Sequence, residues 1–385
     1  MSNDHHQIYS YSFPTDIRFG CGAIKELAPY LKNKKRLDPL VVTDPLVANL
    51  GFFQEMLDNL THSGVAPHIF SGIDKNPIKS NVLNGRDAFQ QSECDCIIGI
   101  GGGASMDVAR AIALAIYHHR DLFDYDDLEG GSQYVTEDIP HFITIPTTSG
   151  TGSEVGRAAI ISEDSSKRKR ILFHPKLMAS MVFADPELTY DLPPQVTAAT
   201  GMDALTHNME AYLAKGFHPL CDGIALEGVR LISGSLDKAV NDPDPSSRSK
   251  MMLASLMGAV AFQKGLGIVH ALSHPLSTLL DMHHGLANAI NLPYGLQFNI
   301  PGQEKQFRNL AQAMELQNSY SASVIDELLK LNQRIGLPTK LNKVGVTKDK
   351  IPALSKLAFN DFSLPANPNT ASLEDIEKLY LQAIE

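Results

Sequence analysis

Ile97-Ile-Gly99-Ile-Gly101-Gly102-Gly103-Ala104-Ser105-Met106-Asp107 begins as an apolar run, turns through consecutive glycines, and opens a helical pattern that continues through Ala109, Ile112, Ala113 and Ile116. Consecutive glycines let a backbone approach a pyrophosphate closely. The helix start adds unpaired amide protons and the positive end of a dipole. The spacing is not the six-residue Rossmann fingerprint, so the stretch reads as strand, anion-facing turn and helix rather than as that motif. Working outward, Pro39 to Asp44, Pro67 to Phe70, Cys96 to Ile100 and His141 to Ile145 read as strands. Phe52 to His62, Ile78 to Gln91 and Met106 to His118 read as the helices between them. Strand and helix in alternation predict a parallel sheet covered by helices, an α/β domain.

After Pro193-Pro194 the pattern changes to long helical stretches: Val196 to Ala214, Asp222 to Val240 and Ser249 to Gln263. Prolines suit a helix start, where a missing amide proton costs little. The expected division is residues 1–187 as the α/β domain and 188–385 as an all-helical one. Asn241-Asp-Pro-Asp-Pro-Ser-Ser and Ala366-Asn-Pro-Asn-Thr read as polar turns.

A second polar turn, Pro146-Thr147-Thr148-Ser149-Gly150-Thr151-Gly152-Ser153-Glu154, carries five hydroxyls and two glycines. Two such loops at the carboxyl ends of successive strands suit the crevice where open α/β sheets bind ligands. Asp44 ends an earlier strand in a similar place. A carboxylate there accepts from a ribose 2′-hydroxyl and repels a 2′-phosphate, which favours NAD over NADP; a plain turn aspartate reads the same way in sequence.

Composition narrows the classes. Of 385 residues, 43% are hydrophobic and 20% charged, a globular balance. With 33 basic and 43 acidic residues the formal charge is −10, and the longest basic block is Lys167 to Arg170. Nucleic acid and anionic membrane are therefore not expected partners, since phosphate attraction needs a cationic face. Cys21, Cys94, Cys96 and Cys221 do not make a disulfide framework, and Met1 to Tyr11 holds no apolar signal core. A cytoplasmic protein is the expectation.

The strongest chemical signal is Ala198-Ala-Thr-Gly201-Met202-Asp203-Ala-Leu-Thr-His207-Asn-Met-Glu210. Asp203 and His207 are four apart, one turn along the same helix face. His270 and His274 repeat that spacing, and His283-His284-Gly285 follows. A lone histidine in such apolar sequence is a core residue, but five in two segments suggest a metal site. One carboxylate with three imidazoles suits iron, zinc, cobalt or nickel.

Together, Gly-Gly-Gly-x-x-x-Asp, Thr-Thr-Ser-Gly-Thr-Gly-Ser-Glu, Ala-Thr-Gly-Met-Asp-Ala-Leu-Thr-His and His-Ala-Leu-Ser-His-Pro with His-His-Gly resemble the iron-containing (group III) alcohol dehydrogenases, from about Phe13 to the C-terminal helix. The resemblance implies a dinucleotide-binding α/β domain and an all-helical metal-binding domain, an architecture of the dehydroquinate-synthase type. It implies Fe2+, with Zn2+ acceptable to the same donors, held by Asp203, His207, His270 and His284; His283 is expected to be a neighbour rather than a fifth ligand. By the same resemblance His274 lies near the substrate as part of the proton path. Asp44, Asn76, Gly101, Gly102, Gly103, Ala104, Ser105, Asp107, Thr147, Thr148, Thr151 and Lys169 match NAD contacts. The implied reaction is hydride transfer between NAD and a small primary alcohol or its aldehyde, in a homodimer or larger homo-oligomer.

Departures from the family's commoner pattern fall at Ala104-Ser105, at Ala158, in Phe262-Gln263-Lys264-Gly265-Leu-Gly, and at Arg110, which is expected on an outward helix face. Arg157 and Lys264 are either receptors for an anionic substrate tail or surface charges. The alternatives are a hydroxy-acid dehydrogenase of the 4-hydroxybutyrate type, a dehydroquinate-synthase-like or polyol-phosphate enzyme with a basic phosphate pocket, and a non-catalytic scaffold.

Overall fold

The computed structural model describes residues 13, 15–74, 76–166 and 168–385; the Met1 to Tyr11 segment and Lys167 of the basic block lie outside them. The first half runs β1 (Ile17–Phe19), α1 (Leu27–Lys34), β2 (Pro39–Val42), α2 (Gly51–His62), β3 (His68–Phe70), α3 (Lys79–Gln91), β4 (Cys96–Gly101), α4 (Gly103–Tyr117), β5 (His141–Pro146), β6 (Ala158–Ser162), β7 (Lys169–Phe173) and β8 (Met181–Ala184). Six strands form one sheet in the order β1-β8-β5-β4-β2-β3, every pair parallel. β4 lies inside it, with Ile98 opposite Val41 on one side and Ile143 on the other. Its residues are buried on both faces, as a parallel strand under two helical layers requires. Alternation sorts them: Val42, Ile97 and Phe142 pack beneath α3 and α4, whereas Val41, Ile98 and Ile143 pack beneath α1 and α2.

Because β2 and β4 are neighbours whose following helices lie on opposite faces, their carboxyl ends flank a topological switch point. That geometry places Asp44 beside the glycine turn. The antiparallel hairpin β6–β7 stands apart from the sheet.

The second half is helical: α5 (Pro194–Leu213), α6 (Pro219–Ser233), α7 (Leu236–Asn241), α8 (Pro245–Ala261), α9 (Ile268–Leu280), α10 (His284–Asn299), α11 (Glu304–Ala313), α12 (Ser321–Arg334), α13 (Ile351–Phe359) and α14 (Leu373–Ile384). α5 is buried almost all round, as expected of a helix surrounded by others; α6, α8 and α10 pack against it. The Asp222 to Val240 stretch, read as one helix, is two. Gly234 and Ser235 interrupt it, a poor helix former followed by a residue with φ −138°. Helix α4 also starts earlier than expected, at Gly103. An apolar seam of Val155, Val182 and Ala184 against Met252, Leu256 and Ala259 joins the halves. Among the described residues no single helix is long and apolar enough to cross a membrane.

Candidate active site

On the sheet side, the turn after β4 is made by Gly101, whose φ of 143° a side chain would strain. Gly102 then caps α4 with no side-chain partner, leaving the helix start to its own amides. Thr148 and Thr151 stand against Gly102 and Gly103, and the Thr147 amide donates to the Gly101 carbonyl at 3.0 Å, so the two polar loops meet. Asp44 Oδ2 accepts from Ser105 Oγ at 3.0 Å, and its Oδ1 accepts from the amides of Leu46 and Val47 at 2.9 and 3.0 Å. The turn after β2 is thus docked on the α4 start. Asn76 donates across the cleft to Asp281 Oδ1 at 2.6 Å.

Asp107 has both oxygens engaged within the chain: Oδ1 by Ser153 Oγ at 2.7 Å and by Arg110, Oδ2 by the Ile160 amide at 3.1 Å. Ser105 is likewise buried. Arg110 corrects the sequence expectation. Far from facing outward it is fully buried, donating to the carbonyls of Leu177 and Ala158 and to Ser153 Oγ at 3.1, 2.7 and 3.0 Å. Its helix position faces the β6–β7 hairpin, which the strand pattern had not revealed. Lys264 is no surface charge either: Nζ donates to Asp222 at 2.5 Å and to the Tyr212 carbonyl at 2.9 Å. Arg157 lies over the Phe173 ring. Lys169 is largely buried, with desolvation lowering its pKa against the opposing pull of Asp107, Asp361 and Asp281.

On the helical side, α5 presents Asp203, α9 presents His270 and α10 presents His284. One ligand atom from each lies within 4.8 Å of the other two. Gly285 allows this convergence. A Cβ there would stand 2.1 Å from the Ala199 carbonyl, so only glycine lets the start of α10 sit on α5. His207 lies beside the three, its ring stacked on His270 at 4.7 Å between centroids. Its Nδ1 is 3.9 Å from Asp203 Oδ1 and is buried without a hydrogen-bond partner. His283 is exposed at the cap of α10, outside the group.

Burial lowers His270 well below the usual imidazole range and takes His284 to about 3, so both rings are neutral and offer lone pairs. The donor set of one carboxylate and neutral imidazoles, with a buried unpartnered nitrogen beside it, fits a divalent cation of the iron or zinc type. Three partners escaped the sequence reading. Glu210, quoted there without a role, is buried and accepts from His270 Nδ1 at 2.6 Å and from the amides of Val269 and His270 at 2.7 and 3.2 Å. Burial pushes its carboxyl up to about 8, against those donors. Asp361 accepts from His274 Nδ1 at 2.8 Å, and the half-exposed Phe362 stacks on the same ring at 5.2 Å. Asn288 reaches three of the site's atoms, as described below. His274 itself stacks on His284 at 5.4 Å, which brings it to the rim of that group.

Family comparisons meet this geometry over nearly the whole chain. Residues 14–186 match the model of iron-containing alcohol dehydrogenase, and residues 197–384 match the C-terminal model of the Fe-containing alcohol dehydrogenase family. The chain belongs to the iron-containing alcohol dehydrogenase family. Among its relatives is a 4-hydroxybutyrate dehydrogenase of Cupriavidus necator, 37% identical over 96% of this chain and 98% of that protein. A crystal structure of 1,3-propanediol oxidoreductase superposes with a TM-score of 0.94 at 31% identity, covering 98% of this chain and 100% of that one. The sulfoacetaldehyde reductase of Bifidobacterium kashiwanohense, solved with NAD+, gives 0.88 at 27% identity, covering 98% and 99%. This iron-type alcohol dehydrogenase is therefore an enzyme, an oxidoreductase of alcohols and aldehydes, and not a non-catalytic scaffold. Both the neutral-alcohol and the hydroxy-acid readings have relatives.

Proposed function

We propose that this dehydrogenase interconverts a small neutral primary alcohol and its aldehyde with NAD, using Fe2+ held by Asp203, His207, His270 and His284. The convergence of Asp203, His270 and His284, with the unpartnered His207 nitrogen beside them, carries the reading. When bound, iron supplies Lewis acidity toward the substrate oxygen and NAD supplies the hydride acceptor. The chain's residues do the rest. Glu210 holds the His270 proton on Nδ1, which leaves Nε2 as a lone-pair donor. Asp361 fixes His274 through Nδ1 and leaves Nε2 to take or return the alcohol proton. The glycine turn and the threonine loop orient the dinucleotide pyrophosphate at the α4 start, and the Asp44 carboxylate disfavours a 2′-phosphate.

The hydroxy-acid alternative rests on the Cupriavidus relative. A neutral substrate is favoured because Lys264 is already paired with Asp222 and Lys169 stands among three carboxylates. Cytoplasmic location, supported by four free cysteines, and a homo-oligomer belong to the same proposal; size-exclusion chromatography measures the second.

Anaerobic purification, elemental analysis and NADH oxidation over neutral and carboxylate-bearing aldehydes test the function. Turnover that follows added Fe2+ and runs fastest with neutral aldehydes is expected. No turnover with any added metal would overturn the enzyme mechanism, and faster turnover of carboxylate-bearing substrates would overturn the substrate class.

A further inference from the structure

Asp203 Oδ1 lies 3.4 Å from His284 Nε2 and 4.0 Å from His270 Nε2, so three polar atoms crowd around one point and each needs a partner there. A protein side chain stands at that point. Asn288, fully buried on α10 one turn beyond His284, directs Nδ2 at all three: 2.7 Å to Asp203 Oδ1, 3.2 Å to His284 Nε2 and 3.3 Å to His270 Nε2. An amide nitrogen carries two hydrogens, so the three acceptors share two donors. The other end of the amide is left out, because Oδ1 is buried with no partner. A buried carbonyl left without a donor is destabilising. Turning the amide over would aim that oxygen at the Asp203 carboxylate and the two lone pairs, which is worse. The orientation is therefore set by the ligand atoms and not by the amide's own surroundings.

We propose that Asn288 is a positioning residue of the metal centre: its amide hydrogens hold Asp203, His270 and His284 converged before a cation arrives, so the site is assembled in the metal-free chain. Glu210 makes this arrangement consistent. By accepting the Nδ1 proton of His270 it leaves Nε2 as the acceptor that both Asn288 and a cation need. The inference rests on the metal reading above and adds to it a residue that need not be a ligand.

The test compares wild type with Asn288→Ala and with Asn288→Asp, which keeps the volume but removes the amide donors. Each is melted with and without bound metal and titrated with Zn2+ or, anaerobically, Fe2+. The metal-free variants should melt roughly 3 °C or more below metal-free wild type. Loaded forms should differ by more, because the affinity of the Ala variant should fall about 10- to 100-fold and that lost binding adds to the destabilisation of the loaded protein. Equal destabilisation with and without metal would mark Asn288 as ordinary packing and overturn the proposal. So would an unchanged or tighter isotherm for Asn288→Ala. If neither variant folds without metal, chelator competition on the loaded forms reads the affinity alone, where a fall supports the proposal and an unchanged value overturns it. A wild type that binds no divalent cation would instead overturn the metal reading itself.

Discussion

The two walls of the cleft are built from different materials. The sheet wall offers backbone: Gly101, Gly102 and Gly103 expose the amides of the α4 start, while Ser105, Asp107 and Arg110 are turned inward to hold it in place. The helical wall offers side chains: Asp203, His207, His270 and His284, supported by Glu210, Asn288 and Asp361. A site made of main chain is defined by where the chain can go, so its polar side chains are free for structural work. A site made of side chains needs a second ring of side chains to aim the first. The walls should therefore fail differently under substitution.

The largest effect is expected on the helical wall. His270→Ala removes one donor and leaves Glu210 and Asn288 each without an acceptor or donor they now use. Metal content should fall below detection, and kcat should drop on the order of 10³-fold, the equivalent of about 4 kcal/mol of lost Lewis-acid stabilisation. Elemental analysis and steady-state assays read both. Full metal and activity in this variant would refute the ligand assignment.

On the sheet wall the corresponding failure is of stability. Arg110→Met strands the partly buried Asp107 carboxylate and four other acceptors, which should cost about 3–5 kcal/mol in denaturant unfolding. The metal content of the folded fraction should stay unchanged. If Arg110→Met releases metal without destabilising the fold, the distinction between the walls is wrong.

The sequence was most readable where short-range rules act. Glycine runs announce tight turns, and Asp203 with His207, or His270 with His274, follow from the pitch of one helix. Even there, spacing does not settle proximity: His207 stands beside the group that Asp203 forms with His270 and His284. Short edge strand β1 carries too few residues for an alternating pattern, and β6–β7 lies outside the sheet rhythm. That omission explains Arg110, whose burial depends on a hairpin more than forty residues away. Asn288 and Asp361 were unreadable for the same reason. Asn288 sits one turn beyond His284 on α10, but its contact with Asp203 spans 85 residues and that of Asp361 with His274 spans 87, and an isolated Asn or Asp gives no periodic signal. Glu210 could have been suspected, lying seven residues from Asp203 on the same face of α5.

A smaller effect sharpens the helical side. Glu210→Gln preserves shape but replaces the carboxyl that faces His270 Nδ1 with an amide. The side-chain amide must also face one of the Val269 and His270 N–H groups. Metal affinity should weaken about 10- to 100-fold, read by chelator competition. An unchanged affinity would mean that the backbone alone orients His270.

The smallest effect tests whether the sheet wall reads charge at all. Asp44 does two things there: Oδ1 accepts the Leu46 and Val47 amides like a helix cap, and Oδ2 holds Ser105. Asp44→Gly removes both the charge and the cap, so a shift toward NADP together with a stability loss of about 1 kcal/mol is expected. Asp44→Asn separates the two, because its amide oxygen can keep the cap while the charge is gone. If the kcat/KM ratio of NADP to NAD rises about tenfold in both variants, roughly 1.4 kcal/mol, the carboxylate is selecting the cofactor. A rise in Asp44→Gly alone would mean that turn geometry does the selecting, and the backbone description of this wall would then extend to Asp44 as well.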